Sequence, residues 1–191
     1  MSEPSINFPL HLFHHGTNFR LYETMGAHPA VKNRKRGYIF RVWAPHAKSV
    51  SVVGDFNKWN KDANPMDRLI DGETFELFIP GLKQYDVYKY CIKTRDGRFF
   101  YKADPHAYHA ETPGPGSSNA SKLYDISGFR WTDQEYSREK AHKNIYACPL
   151  NIYEVNLLSW KHHDDGNPYT YRELAKELVE YVAHMGYTHV E

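Results

Sequence analysis

Short runs of alternating or largely apolar residues recur along the first part of the chain. The runs rich in β-branched and aromatic residues, which favour strands, are residues 38–43, 50–53, 75–79, 88–93 and 98–101. Turn formers follow them, such as Gly54-Asp55, and Asp96-Gly97 has the composition of a hairpin turn. Short strands with turn signals at this spacing predict a β-sandwich over roughly residues 37–124.

The C-terminal part of the chain has a different period. Residues 151–160 are largely apolar and predict a buried strand, and residues 187–191 predict the start of another. Between them, one helix face is formed by Leu174, Leu178, Tyr181, Val182 and Met185. Thr170 and Glu173 have the spacing of a capping box, and Gly186 is placed to end the helix. Short links between these elements predict a parallel βαβ unit.

A single βαβ unit cannot bury both faces of its strands. We therefore expect residues 146–191 to be the opening of an α/β barrel that continues beyond residue 191. Residues 126–145 are polar and helix-compatible, which predicts a linker, and residues 112–119 (TPGPGSSN) predict a loop. Residues 1–36 show no clear period, and we expect a short helix or a packed arm there.

Composition excludes several classes of function. The 24 basic and 23 acidic residues give a net charge of +1, so we expect neither a nucleic-acid partner nor an anionic membrane partner. No apolar run approaches the ~20 residues that span a bilayer. The chain lacks a signal-peptide pattern, and Cys91 and Cys148 lie far apart, which predicts a cytoplasmic protein. Aromatic residues make up 15% and predict a large core, with sugar stacking as the alternative.

The usual catalytic and cofactor motifs are missing. The 12 histidines include two clusters, His11, His14, His15 and His162, His163. Neither cluster has carboxylates or cysteines at ligand spacing, so we expect no metal and no cofactor. No G-x-S-x-G elbow occurs, and the glycines of residues 112–119 are interrupted by prolines and precede no predicted helix.

The loop at residues 54–60 (GDFNKWN) is the best candidate for ligand binding. Trp59 could stack on a sugar ring while Asn57 or Asn60 bonds its hydroxyl groups. Equally, these aromatics could pin the edge of the sandwich. Glu154 lies within a predicted barrel strand, where a structural carboxylate is favoured over a substrate-side one, because barrel active sites lie at the carboxyl ends of the strands.

Several blocks of the chain resemble bacterial 1,4-α-glucan branching enzymes, in order and over nearly its whole length. The blocks are residues 13–17 (FHHGT), 40–45 (FRVWAP), 52–59 (VVGDFNKW), 76–81 (ELFIPG), 88–90 (YKY), 102–105 (KADP), 152–155 (IYEV) and 186–191 (GYTHVE). The resemblance implies an N-terminal fragment with an arm (1–36), an immunoglobulin-like family-48 glycan-binding module (37–125), a linker (126–145) and the start of an α-amylase-type (β/α)8 barrel (146–191).

The resemblance also implies an activity. Such enzymes cut α-1,4 glucan and rejoin it as an α-1,6 branch by a retaining mechanism, in glycogen synthesis. The catalytic Asp, Glu and Asp of the family lie on later barrel strands, so we expect no catalytic residue in this chain and no activity from it alone. Trp59 and Lys89 match positions that contact glucan in related modules, so α-1,4 glucan or glycogen is the expected partner, together with the rest of the barrel.

The chain departs from the family in its first barrel strand. Asn156 stands where His is common and Leu158 where Gly is common, and Thr112 replaces the usual Arg before Pro113. Asn156 keeps hydrogen bonding but cannot carry a proton. Other interpretations remain open: a non-catalytic glucan-binding module, or a fragment of a glycogen debranching enzyme or of a maltooligosyl-trehalose hydrolase.

Overall fold

The computed structural model describes residues 6–112 and 114–191. The chain divides into two compact units, Met1–Arg130 and Trp131–Glu191. Within the described ranges, none of the helices combines the length and apolarity needed to span a membrane. Residues 1–5 of the predicted arm and Pro113 of the predicted loop lie outside the described residues, whereas Thr112, one of the departures from the family, lies within them.

The first unit consists mainly of antiparallel strands. Its helix is α1 (Asn7–His14), and its strands are β1 (Gly26–Lys32), β2 (Lys35–Trp43), β3 (Ala47–Gly54), β4 (Asp67–Arg68), β5 (Thr74–Pro80), β6 (Val87–Thr94), β7 (Phe99–Lys102), β8 (His109–Ala110) and β9 (Ser121–Lys122). One sheet has the order β1-β2-β5-β4, and the second has the order β3-β6-β9-β8 with β7 also paired to β6. The predicted strands and the mainly β architecture are confirmed.

The core of this unit is built from the alternating residues of facing strands. Tyr38, Phe40 and Val42 of β2 are buried with Tyr88 and Tyr90 of β6. Phe40 and Tyr88 meet edge to face, with ring centroids 5.1 Å apart. Because β6 buries alternate residues in this way, the intervening positions point to the opposite, outer face of the second sheet.

Residues 26–32 form a strand, where the sequence predicted only an arm. Strand β1 pairs with β2 along its full length, from Gly26 opposite Arg41 to Lys32 opposite Lys35. Propensity did not reveal it, because Gly26 and Pro29 are poor strand formers and Pro is tolerated only at an edge. The hairpin turns at Asn33 and Arg34, which both have positive φ (52° and 61°), as a tight two-residue turn requires.

The second unit contains a parallel strand pair joined through a helix. Its elements are α2 (Gln134–His142), β10 (Ile152–Tyr153), α3 (Leu157–Trp160), α4 (Tyr171–His184) and β11 (His189–Val190). Ile152 lies opposite His189 and Tyr153 opposite Val190, in parallel register. The predicted βαβ unit is therefore present, and α2 lies within the segment that was predicted as a helix-compatible linker, residues 126–145.

The strand predicted over residues 151–160 is wrong beyond Tyr153. The chain leaves the sheet there and forms the short helix α3. Asn156 begins this helix, because its side-chain oxygen accepts a 3.0 Å hydrogen bond from the amide of Leu158. An apolar run cannot by itself distinguish a strand from a helix, and Leu158 is 66% exposed rather than buried.

Helix α4 begins as the sequence predicted. Oγ1 of Thr170 accepts from the Glu173 amide at 3.5 Å, and the Glu173 carboxylate accepts from the Thr170 amide at 2.7 Å. Gly186 follows the helix in the left-handed region, with φ of +75°. Leu174 and Val182 are buried, whereas Met185 on the predicted apolar face is exposed.

Candidate functional site

The loop after β3 is held by the side chain of Asn57. Its Oδ1 accepts a 3.0 Å hydrogen bond from the Gly54 amide, and its Nδ2 donates to the Val52 carbonyl at 2.9 Å and to Asn64 Oδ1 at 2.7 Å. Both amide hydrogens are therefore used within the fold. This bonding gives Asn57, which we predicted as a glucan contact, a clear structural task.

Trp59 is fixed in this loop by its backbone and its ring. Lys58 and Trp59 both have left-handed backbones, with φ of 55° and 58°. The Trp59 amide bonds to the Gly54 carbonyl at 2.9 Å, and its indole N–H donates to Asp55 Oδ1 at 2.8 Å. The indole is partly exposed and its orientation is set by the Asp55 carboxylate. A ring oriented in advance loses little conformational entropy when a ligand stacks on it.

Lys89 lies on the outer side of β6, opposite Val53 of β3. Because Gly54 is the register partner of Tyr88, the pairing brings the backbone at Trp59 and Lys89 to the same end of these two strands. The Lys89 ammonium donates to the carbonyl of Ser118. Lys89 therefore connects β6 to the loop at residues 114–119.

That loop is braced by Glu111. One carboxylate oxygen accepts from the Ala120 amide at 3.0 Å, the Ser118 amide at 3.0 Å and the Ser118 hydroxyl at 2.8 Å. These hydrogen bonds lower the pKa of the Glu111 carboxyl below its ordinary value. Glu111 thus holds in place the residue, Ser118, whose carbonyl Lys89 contacts.

Two aromatic side chains of β7 were missed by the sequence analysis. Phe99 is 40% exposed and Tyr101 is 48% exposed. Phe99 lies opposite Lys93 and Tyr101 opposite Cys91, so both rings are on the same side of the sheet as Lys89. The Asp96-Gly97 hairpin turn could have revealed them. It places alternate residues of the returning strand opposite alternate residues of β6, and so on the same outer face as Lys89.

Amines flank the ring of Phe99. The ammonium of Lys61 lies 5.1 Å from its centroid and that of Lys93 lies 5.3 Å away, both within cation–π distance. Lys61 also pairs with Asp62 at 2.8 Å, and this hydrogen bond raises the pKa of Lys61. We call this surface the outer aromatic face; its members are Lys61, Lys89, Lys93, Phe99 and Tyr101.

The outer aromatic face combines exposed rings with hydrogen-bond donors. Cys91 beneath it is buried, and burial raises the pKa of its thiol, so it does not supply a nucleophile there. Among the residues in the described ranges, no three His, Cys, Asp or Glu lie close enough together to hold a metal ion. The chemistry fits the binding of a ligand that has an apolar face and a rim of acceptors.

Glu154 and Asn156 belong to the second unit. Glu154 is exposed and directly follows β10, rather than lying within a strand as predicted. Asn156 caps α3, which occupies its side-chain oxygen. Nearby, the Trp160 indole donates to the phenolic oxygen of Tyr153 at 3.0 Å.

The chain is similar to a carbohydrate-binding family and to bacterial branching enzymes. Residues 24–107 match the family carbohydrate-binding module 48 (isoamylase N-terminal domain). The 1,4-alpha-glucan branching enzyme GlgB of Butyrivibrio fibrisolvens is 45% identical over 184 residues, 95% of this chain and 28% of the relative. That of Bacillus subtilis (strain 168) is 42% identical over 182 residues, again 95% of this chain and 28% of the relative.

A solved structure has the same fold. The pullulanase SAP of GBS, determined in complex with maltotetraose, has a TM-score of 0.60 at 18% identity, over 87% of this chain and 23% of that one. The chain spans 28% of the length of the two branching enzymes named above. Over almost its entire length the chain is thus similar to part of the bacterial 1,4-alpha-glucan branching enzymes, and its residues 24–107 match the model of carbohydrate-binding module 48.

Proposed function

We propose that the first unit binds α-1,4 glucan through the outer aromatic face and Trp59. The observation that carries the proposal is the pair of exposed rings, Phe99 and Tyr101, on one side of the sheet with the ammonium groups of Lys61 and Lys93, which lie over Phe99 within cation–π distance. A sugar ring has an apolar face that packs on an aromatic ring and hydroxyl groups that accept from an amine. The match to a carbohydrate-binding module supports this choice of ligand.

Within this site, the residues have different tasks. Trp59 and Phe99 supply stacking surfaces, and Lys89 and Lys93 supply donors for hydroxyl oxygens. Asn57 acts indirectly, because its amide hydrogens are already bonded to Val52 and Asn64. Its expected effect on binding is therefore to position Trp59.

We further propose that the chain is the N-terminal part of a 1,4-α-glucan branching enzyme, which cuts α-1,4 glucan and rejoins it as an α-1,6 branch by a retaining mechanism. Similarity over 95% of the chain supports this proposal. Strand β10, helix α4 and strand β11 would then open a (β/α)8 barrel after an immunoglobulin-like sandwich. Glu154 and Asn156 would lie at the carboxyl side of its first strand, and catalysis would be performed by residues outside this chain.

The alternatives from the sequence gain no specific support. Likeness to the pullulanase structure is at 18% identity and concerns the fold alone, so it does not favour a debranching activity. A non-catalytic binding module would share the glucan site but leave the βαβ unit without a role. The branching-enzyme proposal includes a cytoplasmic location for the protein, as expected for glycogen synthesis.

The binding proposal is tested by co-sedimentation of the chain with glycogen. We expect Phe99→Ala and Trp59→Ala each to weaken binding about tenfold, because each removes a stacking surface. Phe19→Ala is the matched control, since Phe19 is an exposed ring remote in sequence from the site, and its binding should equal that of the parent chain. Equal binding by all variants would contradict the site, and no binding by the parent chain would contradict the function.

The enzyme proposal needs a different measurement. A longer protein that contains this chain should convert linear α-1,4 glucan to a product with new α-1,6 linkages, detected by linkage analysis. With branched glycogen as the substrate, a loss of α-1,6 linkages would identify a debranching enzyme instead.

A further inference from the structure

A second group of rings lies at the other edge of the same sheet. Tyr85 and His109 meet edge to face with centroids 5.5 Å apart, and Tyr124 lies 5.7 Å from Tyr85 and 5.6 Å from His109. The three rings form one continuous patch, which we call the β8-edge cluster. It includes none of the residues of the outer aromatic face.

Tyr85 has a left-handed backbone conformation, and its ring is exposed to solvent. Its φ is +74°, in a region that large side chains avoid. Hydrogen bonds hold it there, from the Tyr85 amide to the Leu123 carbonyl at 2.7 Å and from the Leu123 amide to the Asp86 carbonyl at 3.0 Å. The ring is nevertheless 52% exposed. Strained residues of this kind cluster at ligand-binding sites, so the displayed ring is a candidate ligand contact.

A cleft of about 220 Å³ opens beside this cluster. It is lined by His28, Pro29, Tyr108, Tyr124, Asp125, Ile126 and Ser127. Tyr124 belongs to both the cluster and the cleft, so the two form one surface. Tyr108 is fixed by a 3.0 Å hydrogen bond from its phenol to the Tyr22 carbonyl and by an edge-to-face contact with His28 at 5.9 Å.

The charge in the cleft selects against anions. Asp125 is the one carboxylate among the residues that line it, and its Oδ1 accepts from the Ser127 amide at 2.9 Å. Hydrogen bonds from Ser127 lower the pKa of Asp125, so the group is ionised at neutral pH. Aromatic walls with one carboxylate and one imidazole suit a neutral, hydroxyl-rich ring, whose hydroxyl groups donate to the carboxylate.

The cluster shares a side of the sheet with Lys89. His109 pairs with Lys122, and Lys122 pairs with Val87, which lies two residues before Lys89 on β6. Residues at alternate positions and directly opposite positions point to the same face. The β8-edge cluster and the outer aromatic face therefore lie on one face, towards opposite ends of β6.

We propose that Tyr85, His109 and Tyr124, together with the cleft at Asp125, form a second α-glucan contact on this module. The inference rests on the proposed function and extends it from one sugar-binding surface to two. Two contacts on one face would let a single branched particle engage both, and the second contact would then form at high effective concentration.

The test is a titration of the 191-residue chain with maltoheptaose, followed by NMR of the tyrosine, histidine and tryptophan rings. We expect ring signals of Tyr85, His109 and Tyr124 to shift, in addition to those of Trp59 and Phe99. Shifts confined to Trp59 and Phe99 would overturn the second contact and leave the proposed function intact. Shifts confined to the β8-edge cluster would support the second contact and overturn the first site, and no shift at either would overturn both.

Substitutions provide an independent measurement on glycogen. Tyr85→Ala should weaken co-sedimentation about tenfold, whereas Tyr85→Phe, which keeps the ring, should bind within about twofold of the parent chain. Phe19→Ala again serves as the exposed-ring control. Equal binding by Tyr85→Ala and the parent chain would overturn the second contact, and a loss that Tyr85→Phe shares would overturn the stacking role.

Discussion

The phenol of Tyr88 donates a 2.7 Å hydrogen bond to Oδ2 of Asp104 in the interior of the first unit. The phenol of Tyr90 donates to the same oxygen at 3.0 Å, and the His106 amide donates to Oδ1 at 2.8 Å. Asp104 is only 6% exposed, so these donors replace the water that a carboxylate would otherwise bind. The network connects β6, at the centre of the second sheet, to the segment after β7.

We expect Tyr88→Phe to destabilise the chain by about 1–3 kcal/mol, because it removes a donor from a buried carboxylate. Asp104→Asn should also destabilise it, since an amide cannot accept at both of its polar atoms. The free energy of unfolding in urea measures both effects. Tyr22→Phe, in which the altered phenol is exposed, is the control and should unfold like the parent chain.

Stability should fall in alkaline solution through the same network. Burial, and then the Asp104 carboxylate, raise the pKa of Tyr88 and of Tyr90 above the ordinary value near 10. A raised pKa in the folded state stabilises the fold below about pH 10, and this contribution is lost as pH rises further, because the unfolded chain releases its protons first. The urea midpoint should drop above pH 10, less steeply in Tyr88→Phe. Equal slopes would contradict this origin.

Asn57→Ala should weaken glucan binding without removing any group that touches the ligand. It breaks the bonds to Gly54, Val52 and Asn64, so the loop loses the left-handed geometry that orients Trp59. We expect a loss of about 1–3 kcal/mol of stability in urea and a lower amide-exchange protection of residues 54–60. Asn60→Ala is the neighbouring amide control; unchanged protection in Asn57→Ala would contradict the structural assignment.

Gly54→Ala should be destabilising by about 1–3 kcal/mol. A methyl group there would lie 2.1 Å from the Val87 carbonyl oxygen and 2.5 Å from the Phe56 ring, so β3 and β6 would have to separate. Gly128→Ala is the matched control, because no heavy atom lies within 4 Å of the added carbon and its φ is not in the left-handed region. Unfolding by urea compares the two variants; similar changes in the free energy of unfolding would show that the close contact at Gly54 is not responsible.

Thr170→Ala should destabilise α4 by about 0.5–2 kcal/mol, as for other lost helix caps. It removes the acceptor for the Glu173 amide, and it also removes the hydroxyl that bonds the Glu173 carboxylate at 2.7 Å. Hydrogen exchange of the first-turn amides of α4 reports the change. Thr170→Ser retains the hydroxyl and should protect these amides like the parent chain; equal exchange in the two variants would argue against the cap.

The sequence by itself determined the elements that depend on local chemistry. The alternation in β6, the Asp96-Gly97 turn and the Thr170–Glu173 capping box each specify backbone geometry through neighbours a few residues away. Such signals act over a few residues and here agree with the tertiary structure, which is why these elements are where they were predicted. Trp59 was identified as a candidate from its loop for the same reason.

Other features were decided by partners distant in the chain. Strand β1 exists because β2 offers it a full hydrogen-bonding edge. The exposure of Phe99 and Tyr101, and their approach to Lys61 and Lys93, follow from the pairing of β7 with β6. The role of Asn57 depends on Asn64. Sequence patterns carry no distance between such residues, so only the tertiary structure could bring them together.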